Sequence, residues 1–281
     1  MLLKRMRDSE RGTMADRDYV LGTEDEEIER LGLQHRVWRA RMLDGWRRAG
    51  IGPGKTVLDV GAGPGWASVD LAELVGPAGR VIAVERSRRF LDSLAARAEA
   101  RRLANVEPRE QDVTESFGEA IADHAWCRWL LCFVPDPRRA LANIVRALKP
   151  GGTAIFHEYA DYGGWQMMPP SEELDRFRTL VMKSWRDAGG EPDIALHLPL
   201  WAAAEGLEVQ EVRPLVEIVG RDDFTWQWPA SFMSVNPYRL RDLGYVEAEE
   251  AERMATVLDR APQGALLITP LVAEVIVRKP A

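Results

Sequence analysis

The chain has 281 residues, 46% of them hydrophobic and 29% charged, with a formal net charge of −7 and two cysteines. No apolar run reaches the ~18 residues that a membrane-spanning helix needs, and the charged opening MLLKRMRDSERG lacks a secretory apolar core. Two cysteines do not make a disulfide framework, so a reducing, cytoplasmic setting is expected. The acidic balance argues against sequence-independent attraction to nucleic acid. Ten tryptophans against seven phenylalanines and five tyrosines are the one compositional oddity. They fit either a Trp-rich core or an aromatic-lined pocket.

Residues 1–18 show no period. EDEEIERLGLQHRVWRARMLDGWRRAG has helical spacing at Ile28, Leu31, Val37, Met42, Leu43 and Trp46, with Gly32 a candidate break between two helices. After the turn GIGPGK come a strand at 56–60, a helix at 66–74, a strand at 80–85 and a helix at 87–103. A weaker strand at 106–113 follows, then one within 121–134, a helix at 138–148 and a strand at 153–159. Strands alternating with helices at this spacing predict a parallel sheet covered on both faces. Beyond Tyr159 the alternation stops. Helices are expected at 174–186, 198–206 and 246–258, strands at 207–219 and about 271–277, and a helical or irregular insertion at 222–243.

TVLDVGAGPGWAS carries the strongest chemistry. A buried strand delivers Asp59 at its tip, and Gly61, Gly63 and Gly65 allow a tight turn and close approach of a ligand to the backbone. The dinucleotide fingerprint spaces its glycines G-x-G-x-x-G, and a Walker loop needs a GK[ST] that is missing, so neither pattern fits. Glu85, at the tip of the second strand, stands where a carboxylate accepts from ribose hydroxyls. Asp112 and the Val113 N–H follow the third strand, where an exocyclic adenine amine is within reach.

VLDVGAGPG, VIAVE and QDV together resemble class I S-adenosylmethionine-dependent methyltransferases, particularly the small-molecule branch that includes quinone methylases. The resemblance covers residues 50–160 well and YVLGTEDEEIERLGLQHRVWR more loosely. It implies an α/β, Rossmann-like fold with a mostly parallel seven-stranded sheet flanked by helices. Residues 1–50 would be a helical segment covering the cofactor, and 51–281 the methyltransferase domain, with helical lid insertions at about 162–195 and 222–245. The implied cofactor is S-adenosyl-L-methionine. Its contacts would come from Tyr19, Trp38, Asp59, Gly61, Gly63, Gly65, Glu85, Arg86, Asp112, Val113, Cys127 and Arg128, with His35 a further candidate. Asp59 and the glycines would lie against the methionine part and ribose.

Catalytic candidates are His157 and Glu158, at the end of the fifth strand, and Arg128. His157 or Glu158 could orient or deprotonate an acceptor. Arg128 could bind a carboxylate of the methionine moiety or of the acceptor, or form a structural ion pair. No metal site is expected: Cys127 and Cys132 lack partner ligands and the four histidines are scattered. The expected reaction is methyl transfer by in-line displacement to O, N or C of a small aromatic or apolar molecule, by a monomer or homodimer without a nucleic-acid partner. The alternatives are an RNA, DNA or protein methyltransferase, a cofactor-binding protein of this fold that does not methylate, and a NAD(P)-dependent oxidoreductase. Trp66 and Trp201 are expected to serve packing.

Overall fold

The computed structural model describes residues 23–281. Helix α1 (Asp25–Arg48) has three acids in its first turn and Arg47 and Arg48 in its last, matching the helix dipole at both ends. Gly32 does not divide it. A Cβ at Gly32 would meet Trp66 Cζ2 at 2.6 Å, so this glycine lets α1 lie against the indole instead of breaking the helix.

Strands β1 (Thr56–Val60), β2 (Arg80–Glu85), β3 (Val106–Glu110), β4 (Ala122–Arg128) and β5 (Leu148–Asp161) are linked by helices α2 (Trp66–Val75), α3 (Arg88–Ala100) and α4 (Pro137–Ala147). Ser87 caps α3 and Asp136 caps α4, each accepting a backbone N–H three residues on. Strands β7 (Glu208–Leu215) and β10 (Leu271–Arg278) complete a seven-stranded sheet of order β3-β2-β1-β4-β5-β10-β7. The first five strands pair in parallel, and β10 runs antiparallel between β5 and β7. Chain progression from β1 goes outward to β2 and β3, then returns to β4 on the opposite side. The carboxyl ends of β1 and β4 therefore flank the crevice where an open α/β sheet takes its ligand.

The C-terminal part departs from the sequence expectation. The strand expected at 207–219 is two strands in two sheets: β7 ends at Leu215, and β8 (Ile218–Gly220) joins a small antiparallel sheet with β6 (Gln166–Met168) and β9 (Leu266–Ile268). At the break, Thr269 Oγ1 accepts from Glu217 N at 3.1 Å, which turns the chain from one sheet to the other. Helix α5 (Glu172–Asp187), capped by Ser171, precedes the short α6 (Leu198–Ala204). The segment at 222–243 resolves into α7 (Gln227–Asp242), with α8 (Ala248–Ala255) after it. Helix α7 lacked a clean period because Trp228, Phe232, Met233, Asn236 and Leu240 bury several of its faces.

Candidate functional site

A cavity lies at the carboxyl ends of β1 and β4, the place where an open α/β sheet takes its ligand. Gly61 and Gly63 form part of its floor, with φ of 71° and 55°. A Cβ at Gly63 would meet nothing within 4 Å, so a ligand reaches the main chain there. Gly65 is a correction to the expected set. It does not line the cavity, and a Cβ on it would lie 2.5 Å from Leu94 Cγ. Its role is close packing of the loop on α3.

Glu85 and Asp59 both line this cavity. Glu85 Oε2 accepts from Gly63 N, and Oε1 accepts from Arg86 N and Ser87 N, each at 2.9 Å. A carboxylate has about four acceptor positions, so one remains for a ligand hydroxyl. Burial pushes the Glu85 pKa up, with these backbone donors opposing the rise. Asp59, 2% exposed, takes the Ser68 hydroxyl on Oδ2 at 2.6 Å, and burial raises its pKa to about 6.

Arg128 ends β4 beside Asp59 and also lines the cavity. Among the described residues it has no carboxylate within ion-pair distance. Its polar contacts are Met42 Sδ at 3.8 Å and His35 Nδ1 at 3.4 Å. The structural ion pair considered from sequence is not what the side chain makes. Burial lowers its pKa to about 10, so it remains a cation at neutral pH. His35 is itself held by Asp70 Oδ2, 3.1 Å from Nε2, and Arg39 donates to the same oxygen at 2.6 Å. Burial lowers the His35 pKa. A neutral imidazole donating Nε2–H to Asp70 turns Nδ1 toward Arg128 as an acceptor.

The opposite wall is aromatic: Trp129, Phe133, Tyr159, Trp185 and Phe232 line it. Trp129 follows β4 at φ 49°, uncommon for a bulky residue, and its indole N–H is buried without a partner. Both are unfavourable and persist because surrounding rings fix the side chain. Trp228 stacks on it at 5.6 Å and Trp38 meets it edge-on at 5.1 Å. Trp66, expected to serve packing alone, lines the cavity as well, with the Arg97 guanidinium 3.3 Å above its ring.

Several sequence candidates lie elsewhere. His157 is 0% exposed, with Nε2 2.8 Å from Glu274 Oε2 and its ring packed against Trp126 and Trp38. Glu274 pairs onward with Arg48. Glu158 is equally buried, and its Oε1 accepts from Leu130 N and Leu131 N at 2.9 Å. Neither lines the cavity, which corrects the expectation that one of them faces an acceptor. Cys127 is buried with Sγ 3.9 Å from Glu158 Oε1. Trp38 packs behind Trp129, and Arg86 supplies its backbone N–H to Glu85. Asp112 Oδ1 accepts from the Thr114 N–H and hydroxyl, and the Val113 carbonyl accepts from Asn143. Both stand outside the cavity lining. Tyr19 lies outside the described residues.

Sequence reasoning missed Arg30 and Gln34, which line the cavity from α1. Glu27, Arg30, Leu31 and Gln34 recur at the i, i+3, i+4, i+7 spacing of one helix face. Arg30 donates to Glu27 Oε1 at 2.7 Å and to Gln34 Oε1 at 3.1 Å. A polar stripe with the period of a buried face was the available signal.

Among the described residues no group of three or more His, Cys, Asp or Glu is arranged to hold a metal ion, and no helix is long and apolar enough to cross a membrane. Residues 58–156 match the family model of a methyltransferase domain. The demethylmenaquinone methyltransferase of Lactococcus lactis is 32% identical over 126 residues, 44% of this chain and 49% of the relative. The chain spans half or less of the length of the curated relatives it matches, 36% for one and 50% for another. A geranyl diphosphate methyltransferase solved with GPP and sinefungin superposes with TM-score 0.55 at 18% identity, over 86% of this chain and 79% of that one. The [4+2]-cyclase SpnF superposes equally well, TM-score 0.55 at 19% identity over 86% and 81%. Residues 58–156 are thus similar to a methyltransferase domain, and the chain shares the Rossmann-like fold of the solved methyltransferase structures.

Proposed function

We propose that the protein is an S-adenosylmethionine-dependent methyltransferase acting on a small aromatic or apolar molecule. The observation that carries this is Arg128: a half-buried guanidinium with no carboxylate partner among the described residues, next to Asp59 and facing the cavity floored by Gly61 and Gly63. A lone cation partly withdrawn from water is costly unless something pairs with it, and an amino-acid moiety fits this site. Arg128 takes the methionine carboxylate, Asp59 offers its second oxygen to the α-ammonium, and Glu85 takes a ribose hydroxyl. When bound, S-adenosylmethionine supplies a sulfonium methyl group: the S–CH3 bond breaks with its electron pair left on sulfur, and a bond from the acceptor's O, N or C to that carbon forms.

The chain's own contribution is positioning and exclusion of water. The titratable groups lining the cavity are Arg30, Asp59, Glu85, Arg128 and Tyr159. Asp59 and Glu85 are engaged as described, and burial raises the Tyr159 pKa well above its ordinary value, which keeps it protonated. With His157 and Glu158 sequestered, the acceptor arrives as its own nucleophile, an acidic hydroxyl or a neutral amine. The segment 1–50, of which 1–22 lie outside the described residues, is assigned to cover the cofactor, and 162–195 and 222–245 to act as the lid. Trp185 and Phe232, one from each lid segment, supply the support for that assignment. We place the protein in the cytoplasm as a monomer or homodimer without a nucleic-acid partner, a reading supported by the net charge of −7 and two buried, unbridged cysteines.

Calorimetric titration of the purified chain with S-adenosylmethionine and with NADH tests the cofactor. Release of S-adenosylhomocysteine in an acceptor screen tests the reaction. Binding of NADH in place of the sulfonium refutes the proposal. A second reading, use of the bound sulfonium protein for a reaction other than methylation, draws on the sequestered His157 and Glu158. It predicts acceptor turnover with no S-adenosylhomocysteine formed.

A further inference from the structure

Tyr159 is the one aromatic of the cavity wall with a hydroxyl, and the roles assigned above leave it unused. It is 8% exposed and lines the cavity. Its hydroxyl has no hydrogen bond to any described residue, although a buried phenol normally finds one. The ring is held in place: Trp129 stacks on it at 5.7 Å and 21°, Trp185 at 6.1 Å and 27°, and Tyr162 meets it edge-on at 4.8 Å. Phe133 packs edge-on to Trp185 at 4.8 Å, and Phe232 does so at 6.1 Å. A rigid hydroxyl without a partner among the described residues, set in an aromatic wall, is a ready-made donor for a ligand oxygen.

We propose that the acceptor is a planar ring compound bearing a hydroxyl or carbonyl oxygen, bound against the Trp129–Tyr159–Trp185 wall, with the Tyr159 hydroxyl donating to that oxygen. This rests on the methyltransferase reading of the same cavity, since it assigns this wall to the acceptor and the Asp59–Arg128 side to the cofactor. The wall supplies affinity through ring contact, and Tyr159 sets which ring edge faces the cofactor. Tyr159 is a specificity residue here: it selects oxygen-bearing rings over hydrocarbons of the same shape.

The test uses the full chain saturated with S-adenosylhomocysteine, titrated calorimetrically with 1-naphthol and with naphthalene. The wild-type protein prefers 1-naphthol, and Tyr159→Phe removes about 3- to 10-fold of that preference, the worth of one hydrogen bond. Naphthalene binding stays within about twofold, because the ring stack is conserved. A wild-type protein that does not prefer 1-naphthol, or a Tyr159→Phe variant that keeps the full preference, overturns the proposal. S-adenosylhomocysteine affinity, measured first on both proteins, reports on the cofactor reading alone. Equal affinity in both shows that the variant is folded, and absence of binding in the wild type refutes the methyltransferase reading rather than the role of Tyr159.

Discussion

Replacing Arg128 with methionine separates a ligand-binding arginine from a structural one. Burial lowers the Arg128 pKa by more than two units from the ordinary guanidinium range, to about 10. At ~1.4 kcal/mol per unit, the charged form is disfavoured in the ligand-free fold by roughly 3 kcal/mol. The folded pKa of this cation is depressed, so that cost is present in full below pH 10 and is relieved only as pH rises through 10 toward the ordinary guanidinium range. Arg128→Met removes it and loses the contacts to Met42 Sδ and His35 Nδ1 and the approach of the guanidinium to the Trp126 and Trp129 rings at 5.8 and 5.1 Å, which an apolar side chain can still pack against. The variant is therefore expected to be as stable as the wild type or more so, with a melting temperature up to about 6 °C higher.

Ligand affinity should move the other way. A charge-assisted hydrogen bond is worth ~1.5–3 kcal/mol, so the Kd for S-adenosylhomocysteine rises by about 10- to 150-fold. 5′-Methylthioadenosine lacks the amino-acid moiety, and its Kd should stay within about twofold. Calorimetric titration of both ligands, together with thermal melts, gives the four numbers needed. Unchanged S-adenosylhomocysteine affinity, or an equal loss of both ligands with a fall in melting temperature, would falsify the carboxylate role.

Glu85→Gln should weaken both ligands alike, by about 10-fold or more, because the ribose is common to them; a selective loss of S-adenosylhomocysteine in the same titrations contradicts the ribose assignment. Gly63→Ala should abolish cofactor binding at a stability cost of only about 1 kcal/mol, since its Cβ enters open cavity. Gly65→Ala should instead lower the denaturation midpoint strongly, its Cβ meeting Leu94 Cγ at 2.5 Å; equal behaviour of the two variants argues against the division drawn between these glycines. Glu158 has its pKa raised from 4.5 to about 7 by burial, so its contribution to stability is fully present below pH 4.5 and lost as pH rises through 7. Relative to Glu158→Gln, the wild type should lose roughly 3 kcal/mol between pH 4.5 and pH 8, and parallel denaturation profiles would refute this.

Much of the cofactor side was legible in the sequence because local rules decide it. TVLDV followed by three closely spaced glycines requires a buried strand and a positive-φ turn, and Glu85 falls at a strand tip by counting residues. The acceptor side was less legible because long-range packing decides it. Alternation along β5 puts His157 and Tyr159 on the same face, yet only Tyr159 reaches the cavity. Helix α1 covers the strand at His157, with Trp38 against the imidazole at 6.2 Å and Glu274 of β10 hydrogen-bonded to it. No local pattern reports a helix from residues 25–48 lying over residue 157. Strands β6, β8 and β9 escaped notice for another reason: three residues are too few to display a period of two. The tryptophan surplus resolves into both expected uses. Trp66, Trp126, Trp129 and Trp185 line the cavity, while Trp38 and Trp228 are buried behind them.

The two halves of the cavity are built from different materials, and this bears on what the fold implies. On the proposed reading the cofactor half is made of backbone, the strand-end carboxylates Asp59 and Glu85 and the Arg128 guanidinium, all within residues 58–156, the stretch that matches the methyltransferase domain. The aromatic half draws on Tyr159, Trp185 and Phe232, all beyond that stretch, with Trp129 and Phe133 as its contribution from inside. A methyltransferase and a [4+2]-cyclase superpose on this chain equally well, so the shared sheet does not choose the reaction. The choice rests on side chains carried by the insertions after β5. Here those insertions bring Trp185 and Phe232 to the cavity and β5 brings one phenol, Tyr159, while the imidazole and carboxylate of β5 are turned to holding the fold. A site of this kind accelerates reaction by orienting an already nucleophilic ring substituent in a water-poor slot. Substitutions in the aromatic half should therefore change which acceptor reacts, and those at Asp59, Glu85 and Arg128 whether the cofactor binds.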